Sequence, residues 1–509
     1  MRRELAQPRL DTRFDDVREY AFRHQILHQV TYDTLLKRDK RQLHRKAADW
    51  FSKLAGARAG DFLGVTAEHY LQAGDEANAC EFFVRAAERS GVRYAHDATM
   101  AYAAKALALM GDSLHSDMEK LRWRALDVRE RSLDLQGKRG EQQADINRLQ
   151  VVADALDDNH LRAEVAWRRS DVAFRTGDYP LQEQAARETI SIAEMANDVE
   201  MTLRGQLRLA GALNLLGRVA EGKALAHQGL AQARSLGLRS LESRFLNILS
   251  IIASRHSDLV GGLGTEQQTL PIVRELGDRR CEAMTLCNLG GIWFQMGANS
   301  PALRHLEDGL RLLRDVGDRG SEPYPLCTLS QLALRQGNDA LALTHAQTAL
   351  DIAVAVQDPY IEANALCVLG DAELALGRFA QARSAFERAH AVSVAHGEAR
   401  RHDAAAGLAR VALAQGDGAG ALRALEAELA LVSGGSPIKG LEAPHAIRHT
   451  CVKALKFAGD PRAYAATVIA HAELLAEAAT ITDSLLRSSF LRNIPEHHEI
   501  VAEWEKIRP

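Results

Sequence analysis

The sequence contains little of what marks disulfide-bonded, β-rich or membrane-spanning proteins. Aromatic residues make up 5% of its 509 residues, and there are 12 prolines and 6 cysteines. Runs that alternate β-branched with polar residues are almost absent, so strands are not expected. No apolar run is long enough to cross a bilayer, and the first residues lead into charged ones rather than into a signal-peptide core. These absences predict a nearly all-α protein of the cytoplasm that does not engage a membrane.

Motifs for the common enzymatic chemistries are also missing. The chain has no phosphate-binding G-x-x-x-x-G-K-[ST] loop and no G-x-S-x-G nucleophile turn. His24/His28 and His445/His449 each place two imidazoles on one helix face, but no third metal ligand lies nearby in sequence. We therefore predict no catalytic residue, no cofactor and no bound metal, and we expect that the chain is not an enzyme.

Charge is distributed unevenly along the chain. The net charge is −4, which argues against direct nucleic-acid binding. Residues 1–60 contain fourteen Lys or Arg and eight Asp or Glu, a net charge of +6, so the remaining residues carry −10. This basic segment is compatible either with a partner surface or with a solvated helix face.

Glycines recur at a fixed period of forty residues. One column contains, at forty-residue steps, Gly177, Gly217, Ser257 in place of a glycine, Gly297, Gly337 and Gly377, with Gly416 one residue early. A second column contains Gly237, Gly277, Gly317, Gln357 in place of a glycine, and Gly397. Self-similarity at such a period is the signature of a repeat solenoid.

Each forty-residue unit contains two amphipathic helical patterns. In one unit, Leu286, Leu289 and Trp293 recur at i, i+3 and i+7, which is one face of a helix. Gly317 and Asp318 are predicted to end the second helix and to cap the next one. The pattern therefore predicts an all-α fold, an α-solenoid built from helical hairpins of about forty residues.

One second helix departs from this pattern. The segment from Leu259 to Leu276 contains Gly261, Gly262, Gly264 and Pro271. Each interior glycine disfavours a helix by about 1 kcal/mol relative to alanine, so we expect this helix to be short or kinked. It is either a ligand notch or hinge, or a decayed repeat.

The repeat resembles the tetratricopeptide repeat. The residues that carry this resemblance are Leu289-Gly290, Ala302 and Leu306, and again Leu369-Gly370, Ala382, Phe386 and Ala389. The unit is forty residues long rather than thirty-four, which is similar to the longer repeats of MalT-like signalling proteins. The resemblance covers roughly 240 residues.

Both ends of the chain resemble one family of bacterial signalling proteins. The segment from Tyr20 to Leu36 and the basic run that leads to His44 are similar to the end of the ATPase module of signal-transduction ATPases, many of which carry a class III adenylate or guanylate cyclase domain. The stretch from Ser489 to Ile500 resembles the last helix of the same proteins. The resemblance implies the C-terminal, repeat-containing half of such a protein, without the ATPase core or the cyclase domain.

These observations divide the chain into five expected segments. They are residues 1–60, the helical remnant of the end of an ATPase module; 61–175, degenerate helical hairpins; 176–432, regular tetratricopeptide-like repeats; 433–445, a loop; and 446–509, C-terminal capping helices.

Helix geometry predicts candidate partner contacts. If the first helices line a concave groove, the face opposite the leucines forms its floor. The predicted contact residues are Arg244, Asn247, Tyr324, Cys327, Gln331, Asn364, Cys367 and Asp371. Cys287, Cys327 and Cys367 occupy one repeat column and are expected to be reduced thiols. This column either faces the groove or packs between repeats, and the sequence leaves both alternatives open.

The resemblance implies a non-catalytic region that senses or binds a protein or peptide partner for a signalling ATPase or nucleotide cyclase system. An ATPase or cyclase module is a further expected partner. Two alternatives remain. The chain could be the solenoid of a STAND-type transcriptional regulator, or an independent enzyme, which would need catalytic residues that the sequence does not offer.

Overall fold

The computed structural model describes residues 6–9, 19–53, 59–111, 116–396, 400–433 and 444–508. Across these ranges the chain forms 26 α-helices and one antiparallel pair of short strands, β1 (Ala6–Pro8) and β2 (Tyr20–Phe22). The predicted all-α solenoid is thereby confirmed. Two compact units can be separated, residues 1–132 and residues 133–509, which we call the N-terminal and the C-terminal unit. Within the described ranges, every helix is too short or too polar to traverse a lipid bilayer.

The N-terminal unit contains the two strands and the first helices. These helices are α1 (Gln25–Thr34), α2 (Lys37–Ser52), α3 (Leu63–Ala73), α4 (Glu76–Val92), α5 (His96–Met110) and most of α6 (Ser116–Gln136). Their core includes Ala48, Tyr70, Phe83 and Met110. Helix α1 buries none of its residues.

The C-terminal unit begins with thirteen helices at nearly constant spacing. They are α7 (Arg139–Ala155), α8 (Asn159–Arg175), α9 (Tyr179–Met195), α10 (Val199–Leu215), α11 (Val219–Ser235), α12 (Arg239–Arg255), α13 (Leu259–Glu275), α14 (Arg279–Gln295), α15 (Asn299–Val316), α16 (Pro323–Arg335), α17 (Asp339–Val356), α18 (Pro359–Ala375) and α19 (Phe379–Ala395). Most have 17 residues and are followed by a three-residue connection, so that one hairpin takes forty residues.

Seven shorter or less regular helices complete this unit. They are α20 (Arg401–Ala414), α21 (Gly418–Ala424), α22 (Glu426–Ser433), α23 (Pro444–Phe457), α24 (Ala463–Thr480), α25 (Ser484–Arg492) and α26 (Pro495–Ile507). The predicted loop at 433–445 falls mainly on residues 434–443, which lie outside the described residues.

The turns follow the glycine ladder. The predicted turn glycines that the structure describes have φ between 66° and 80°, the left-handed conformation that ends a helix without a Cβ clash. Ser257 (φ 63°) and Gln357 (φ 56°) take the same conformation where the glycine is missing. Gly137 (φ 70°) and Asp157 (φ 49°) extend the two columns further towards the N-terminus. Gly397 lies outside the described residues.

Aspartates cap many of the helices. Asp158, Asp198 and Asp278, for example, accept a hydrogen bond from the backbone N–H three residues on, at 2.9–3.2 Å. The prediction that Asp318 caps the next helix is wrong. Asp318 precedes a short 3₁₀ turn, α16 begins only at Pro323, and the carboxylate accepts from Arg280 Nε at 2.8 Å instead.

Close helix contacts explain the Leu-Gly pairs of the repeat. A Cβ atom added at Gly290 would lie 2.6 Å from Leu306 Cγ, and one added at Gly370 would lie 2.6 Å from Phe386 Cζ. Because these distances are too short for non-bonded carbon atoms, only glycine lets the two helices of a hairpin approach this closely.

Helix α13 is not shortened, so of the two effects expected from its glycines and Pro271 only the kink stays a prediction. It has the same 17 residues as its neighbours. Leu259, Ile272 and Val273 are almost fully buried against adjacent helices, so packing outweighs the weak intrinsic preference of the segment.

Distant hairpins of the C-terminal unit meet each other. Arg280 Nη2 lies 3.3 Å from Asp134 Oδ2, 146 residues earlier in the chain. Asn493 Nδ2 donates to the carbonyl oxygen of Gly297 at 3.0 Å. The hairpins therefore coil far enough for the beginning and the end of this unit to contact its middle, and polar residues of several first helices meet in its interior.

Candidate functional site: the interior surface of the first helices

The predicted groove cysteines lie beneath the surface. Cys327 and Cys367 expose 2% and 5% of their area and pack among leucine and alanine side chains of α16 to α19. Cys287, in the same column, is buried against Gly309. Burial raises the pKa of the Cys287 and Cys367 thiols well above the usual value. In this conformation the sulfur atoms belong to the packing between helices, and their contact with a partner stays a prediction.

Four of the predicted polar contacts are half-buried. Asn247 donates through Nδ2 to Glu266 Oε1 at 3.3 Å, and Asp371 accepts from Arg410 Nη2 at 2.6 Å. Gln331 in α16 and Asn364 in α18 keep part of their area accessible. Two of the four side chains are thus already engaged within the protein.

Arg244 and Tyr324 lie at a polar interior region. Arg244 is half-buried and makes no hydrogen bond or ion pair with the described part of the chain. The half-buried Tyr324 interacts electrostatically with Asp358 and Arg175, and its hydroxyl forms no hydrogen bond within the described ranges. Burial is the main cause that raises the pKa of the Tyr324 phenol, so it is neutral.

The region around these two side chains contains five arginines and three aspartates from six helices of the coil and from the turn before α16. We call it the interior arginine cluster; its members are Asp134 of α6, Arg139 of α7, Asp171 and Arg175 of α8, Arg208 of α10, Arg244 of α12, Arg280 of α14, and Asp318 before α16. Sequence analysis identifies only Arg244 among them.

Asp134 and Asp318 are the most tightly bound carboxylates of this cluster. Arg139 Nη1 donates to Asp134 Oδ1 at 2.8 Å, and Arg280 binds both Asp134 and Asp318. Burial alone would raise the pKa of Asp134, but the guanidinium groups of Arg280, Arg175 and Arg139 hold it well below its usual value. Asp134 is therefore ionised.

Arg208 occupies the other side of the cluster. It forms an ion pair with Asp171, and its guanidinium lies 5.1 Å from the centre of the Trp167 ring, where a cation is attracted by the aromatic face. Burial lowers the pKa of Arg208, and the neighbouring positive charges of Arg244 and Arg175 lower it further. Solvent still reaches the cluster, because Arg280 and Arg208 keep 33% and 24% of their side-chain area exposed.

A second unusual group is Glu266, in the middle of α13. It occupies the repeat position at which Leu306 and Phe386 stand in other hairpins, and its exposed fraction is 0%. Asn288 Nδ2 donates to Glu266 Oε1 at 2.8 Å, and Asn247 Nδ2, on the other neighbouring helix, donates to the same oxygen. Glu266 Oε2 has no hydrogen-bond partner in the described ranges. Burial raises the pKa of Glu266 to about 8.

An open cavity of about 460 Å³ lies beside the same helix. It is lined by Gln267, Leu270, Pro271, Arg274, Leu289, Trp293 and His305. The proline-containing turn of α13 therefore borders a recess, and the ligand-notch alternative stays a prediction. Across the described ranges, no group of three His, Cys, Asp or Glu side chains converges as a metal site requires.

Sequence analysis missed most of the cluster for a physical reason. Its members are single charged residues on different repeats, and the 146-residue separation of Asp134 and Arg280 cannot be read from helical periodicity.

Comparison with known proteins places part of this region in a family. Residues 325–393, which cover most of α16 to α19, match the family model of the tetratricopeptide repeat. No curated protein sequence matches the chain.

The chain is similar to several solved structures. A Rap protein in complex with competence and sporulation factor is 14% identical, with 69% of this chain and 100% of that chain covered and a TM-score of 0.48. A signal transduction ATPase with numerous domains and a tetratricopeptide repeat sensor, from Pyrococcus horikoshii, is 15% identical, with 91% and 67% covered and a TM-score of 0.43. The Cut9–Hcn1 hetero-tetramer of the APC/C is 15% identical, with 93% and 95% covered and a TM-score of 0.44.

Identities this low say nothing about ligand or partner. The family match and the hairpin geometry agree on one conclusion: residues 325–393 are tetratricopeptide repeats, set within a longer α-solenoid of similar helical hairpins.

Proposed function

We propose that this chain is a protein-interaction and sensing region of a signalling ATPase or nucleotide cyclase system. A segment of a protein or peptide partner would bind the interior surface of the first helices. The proposed contacts are Arg244, Asn247, Tyr324, Cys327, Gln331, Asn364, Cys367 and Asp371. An ATPase or cyclase module is a proposed further partner.

The observation that carries the proposal is the state of Arg244 and Tyr324. Both are half-buried, both lie on first helices, and neither side chain forms a hydrogen bond within the described ranges. Arginine and tyrosine are the residue types that anchor many protein interfaces, because a rigid aromatic ring and a planar donor fork lose little freedom on binding. A partner carboxylate near Arg244 and a polar group near the Tyr324 hydroxyl would satisfy these donors.

The sensing role in an ATPase or cyclase system is supported by the resemblance of the segments 20–44 and 489–500 to that family. These segments form β2, α1 and α2 at one end and parts of α25 and α26 at the other. They carry no motif that would let this chain perform the chemistry of such a system by itself.

Affinity capture from native lysate tests the proposal. The chain with Arg244→Ala or Tyr324→Ala should lose its partner, because each substitution removes an anchor without opening the apolar core. Two matched substitutions on exposed outer positions, Arg311→Ala in α15 and Tyr464→Ala in α24, should retain it. Equal capture by all four variants would contradict the proposed surface.

A further inference from the structure

The interior arginine cluster carries more positive than negative charge. Five arginines share three aspartates: Arg139 and Arg280 bind Asp134, Arg280 also binds Asp318, and Arg208 binds Asp171. Two nearby aspartates, Asp278 and Asp358, accept hydrogen bonds from backbone N–H groups at the starts of α14 and α18. Counted over its own members alone, five arginines against three aspartates, the cluster has an excess of two positive charges.

The excess is located on two specific side chains. Arg175 and Arg244 form no hydrogen bond and no ion pair with the described part of the chain. Arg175 interacts with Asp134 and Asp171 only electrostatically, and with the ring of Phe174 at 5.8 Å. A guanidinium offers five N–H donors and no acceptor, so each of these groups needs an acceptor from outside the protein.

Four buried donors at the cluster lack an acceptor as well. They are Arg139 Nε, Arg175 Nε, Arg208 Nε and the indole Trp167 Nε1, none of which has a hydrogen-bond partner in the described ranges. Buried donors without acceptors are rare in folded proteins, because each one loses its hydrogen bonds to water. That four occur around the same excess charge indicates a missing anionic acceptor with several oxygen atoms.

The like charges are close enough to affect each other. Burial is the largest cause of the lowered pKa of Arg208, and Arg244 and Arg175 contribute further. Holding positive charges together in a partly desolvated region is unfavourable unless a counter-charge is present. An anion would remove this repulsion.

We infer that the interior arginine cluster binds a phosphate group, held by Arg175, Arg208 and Arg244. A phosphate group carries a charge near −2, which matches the excess of the cluster, and its terminal oxygens can accept several hydrogen bonds at once. A single carboxylate would neutralise only one of the two charges. The partial exposure of Arg208 and Arg280 gives such a ligand access from solvent. The inference goes beyond the proposed function, since the cluster would bind phosphate whether or not a protein partner binds. Arg244 belongs both to the cluster and to the proposed partner-binding surface.

Calorimetric titration of the purified full chain with inorganic phosphate tests this inference. We expect saturable binding at one site per chain, at a fixed ionic strength set with chloride. Arg175→Gln and Arg244→Gln should each weaken binding about tenfold or more, since each removes a charge-assisted hydrogen bond. The matched control is Arg311→Gln on the exposed face of α15, which should bind phosphate as the parent does.

Further arms identify the ligand chemistry and guard against misfolding. If glycerol phosphate binds more tightly than inorganic phosphate, the ligand of the cluster is a phosphomonoester. If the two bind equally, the ligand is free phosphate. Both outcomes support a phosphate site. Arg244→Lys keeps the charge but loses the planar fork, so it should bind phosphate with intermediate strength. It replaces Arg244→Gln as the test variant if that variant does not fold. Circular dichroism reports folding for every variant.

Three outcomes would overturn the inference. They are binding no stronger than that of chloride, an equal loss of affinity in Arg311→Gln, and tighter binding of succinate than of phosphate. None of them bears on partner capture, so this inference and the proposed function can fail separately.

Discussion

Replacing Glu266 by glutamine should change how the stability of the protein depends on pH. The carboxyl group is fully buried at a position where other hairpins carry Leu306 or Phe386, and burial raises its pKa from 4.5 to about 8. Asn247 and Asn288 donate to Oε1, and glutamine can keep its own oxygen in that place. The substitution therefore removes the titration with little change in shape.

The sign and the size of this change in stability follow from the linkage between folding and proton binding. Between pH 4.5 and 8 the folded protein keeps a proton on Glu266 that the unfolded chain releases, so stability falls as pH rises through this window and is constant above it. The folded and unfolded pKa values differ by about 3.5 units, and each unit corresponds to about 1.36 kcal/mol. The free energy of unfolding should therefore fall by about 4 kcal/mol across this window, a value rounded down because the site can relax. Unfolding of the 377 residues from 133 to 509 has an entropy of about 0.8 kcal/mol/K, so the change in melting temperature is about 5 °C.

Thermal melts of parent and variant from pH 5 to pH 9 measure this effect. At pH 5 the two proteins should melt within about 1 °C of each other, and at pH 8 Glu266→Gln should melt about 5 °C higher. The control is Glu387→Gln, at an exposed position of α19, whose difference from the parent should not vary with pH. A constant difference between parent and Glu266→Gln across this range would refute the reasoning.

Three further predictions concern packing, thiols and activity. Gly290→Ala should destabilise the protein by about 1–3 kcal/mol in denaturant unfolding, because its Cβ would overlap Leu306, whereas Gly291→Ala, which meets no atom within 4 Å, should be neutral or slightly stabilising. Half-buried Cys281, whose pKa burial raises to about 11, should react slowly with a small maleimide in the native state, and Cys287 only after unfolding; rapid native labelling of Cys287 would contradict the packing described here. The purified chain should neither hydrolyse ATP nor produce cyclic nucleotides, and turnover that survives purification would show that a catalytic site has been overlooked.

The repetitive part of the fold could be predicted from the sequence because it depends on local chemistry. A left-handed residue every twenty positions ends each helix, and glycine is the residue that adopts this conformation most easily. Asp157 and Ser257 adopt it too, so the ladder of left-handed turns also includes positions without a glycine. Residue type alone underestimates the extent of the array for this reason.

The candidate site could be predicted only in part, because it depends on how the hairpins coil. Arg244 and Tyr324 were identified from helix phase, which places both on a first helix away from the leucines. Asp318 was interpreted as a cap since it follows a glycine, but its carboxylate instead binds Arg280, a residue of the preceding hairpin. Contacts of this kind are tertiary, and no local rule predicts them.

The central claim is that partners bind the interior surface of the first helices. The most direct test of this claim is a photo-crosslinking amino acid placed at position 324. Illumination in native lysate should attach a partner to the chain carrying the probe at Tyr324, and should attach none to the chain carrying it at the exposed Tyr464 of α24. Crosslinking at position 464 with none at position 324 would contradict the account and would place the binding surface on the outer side of the hairpins.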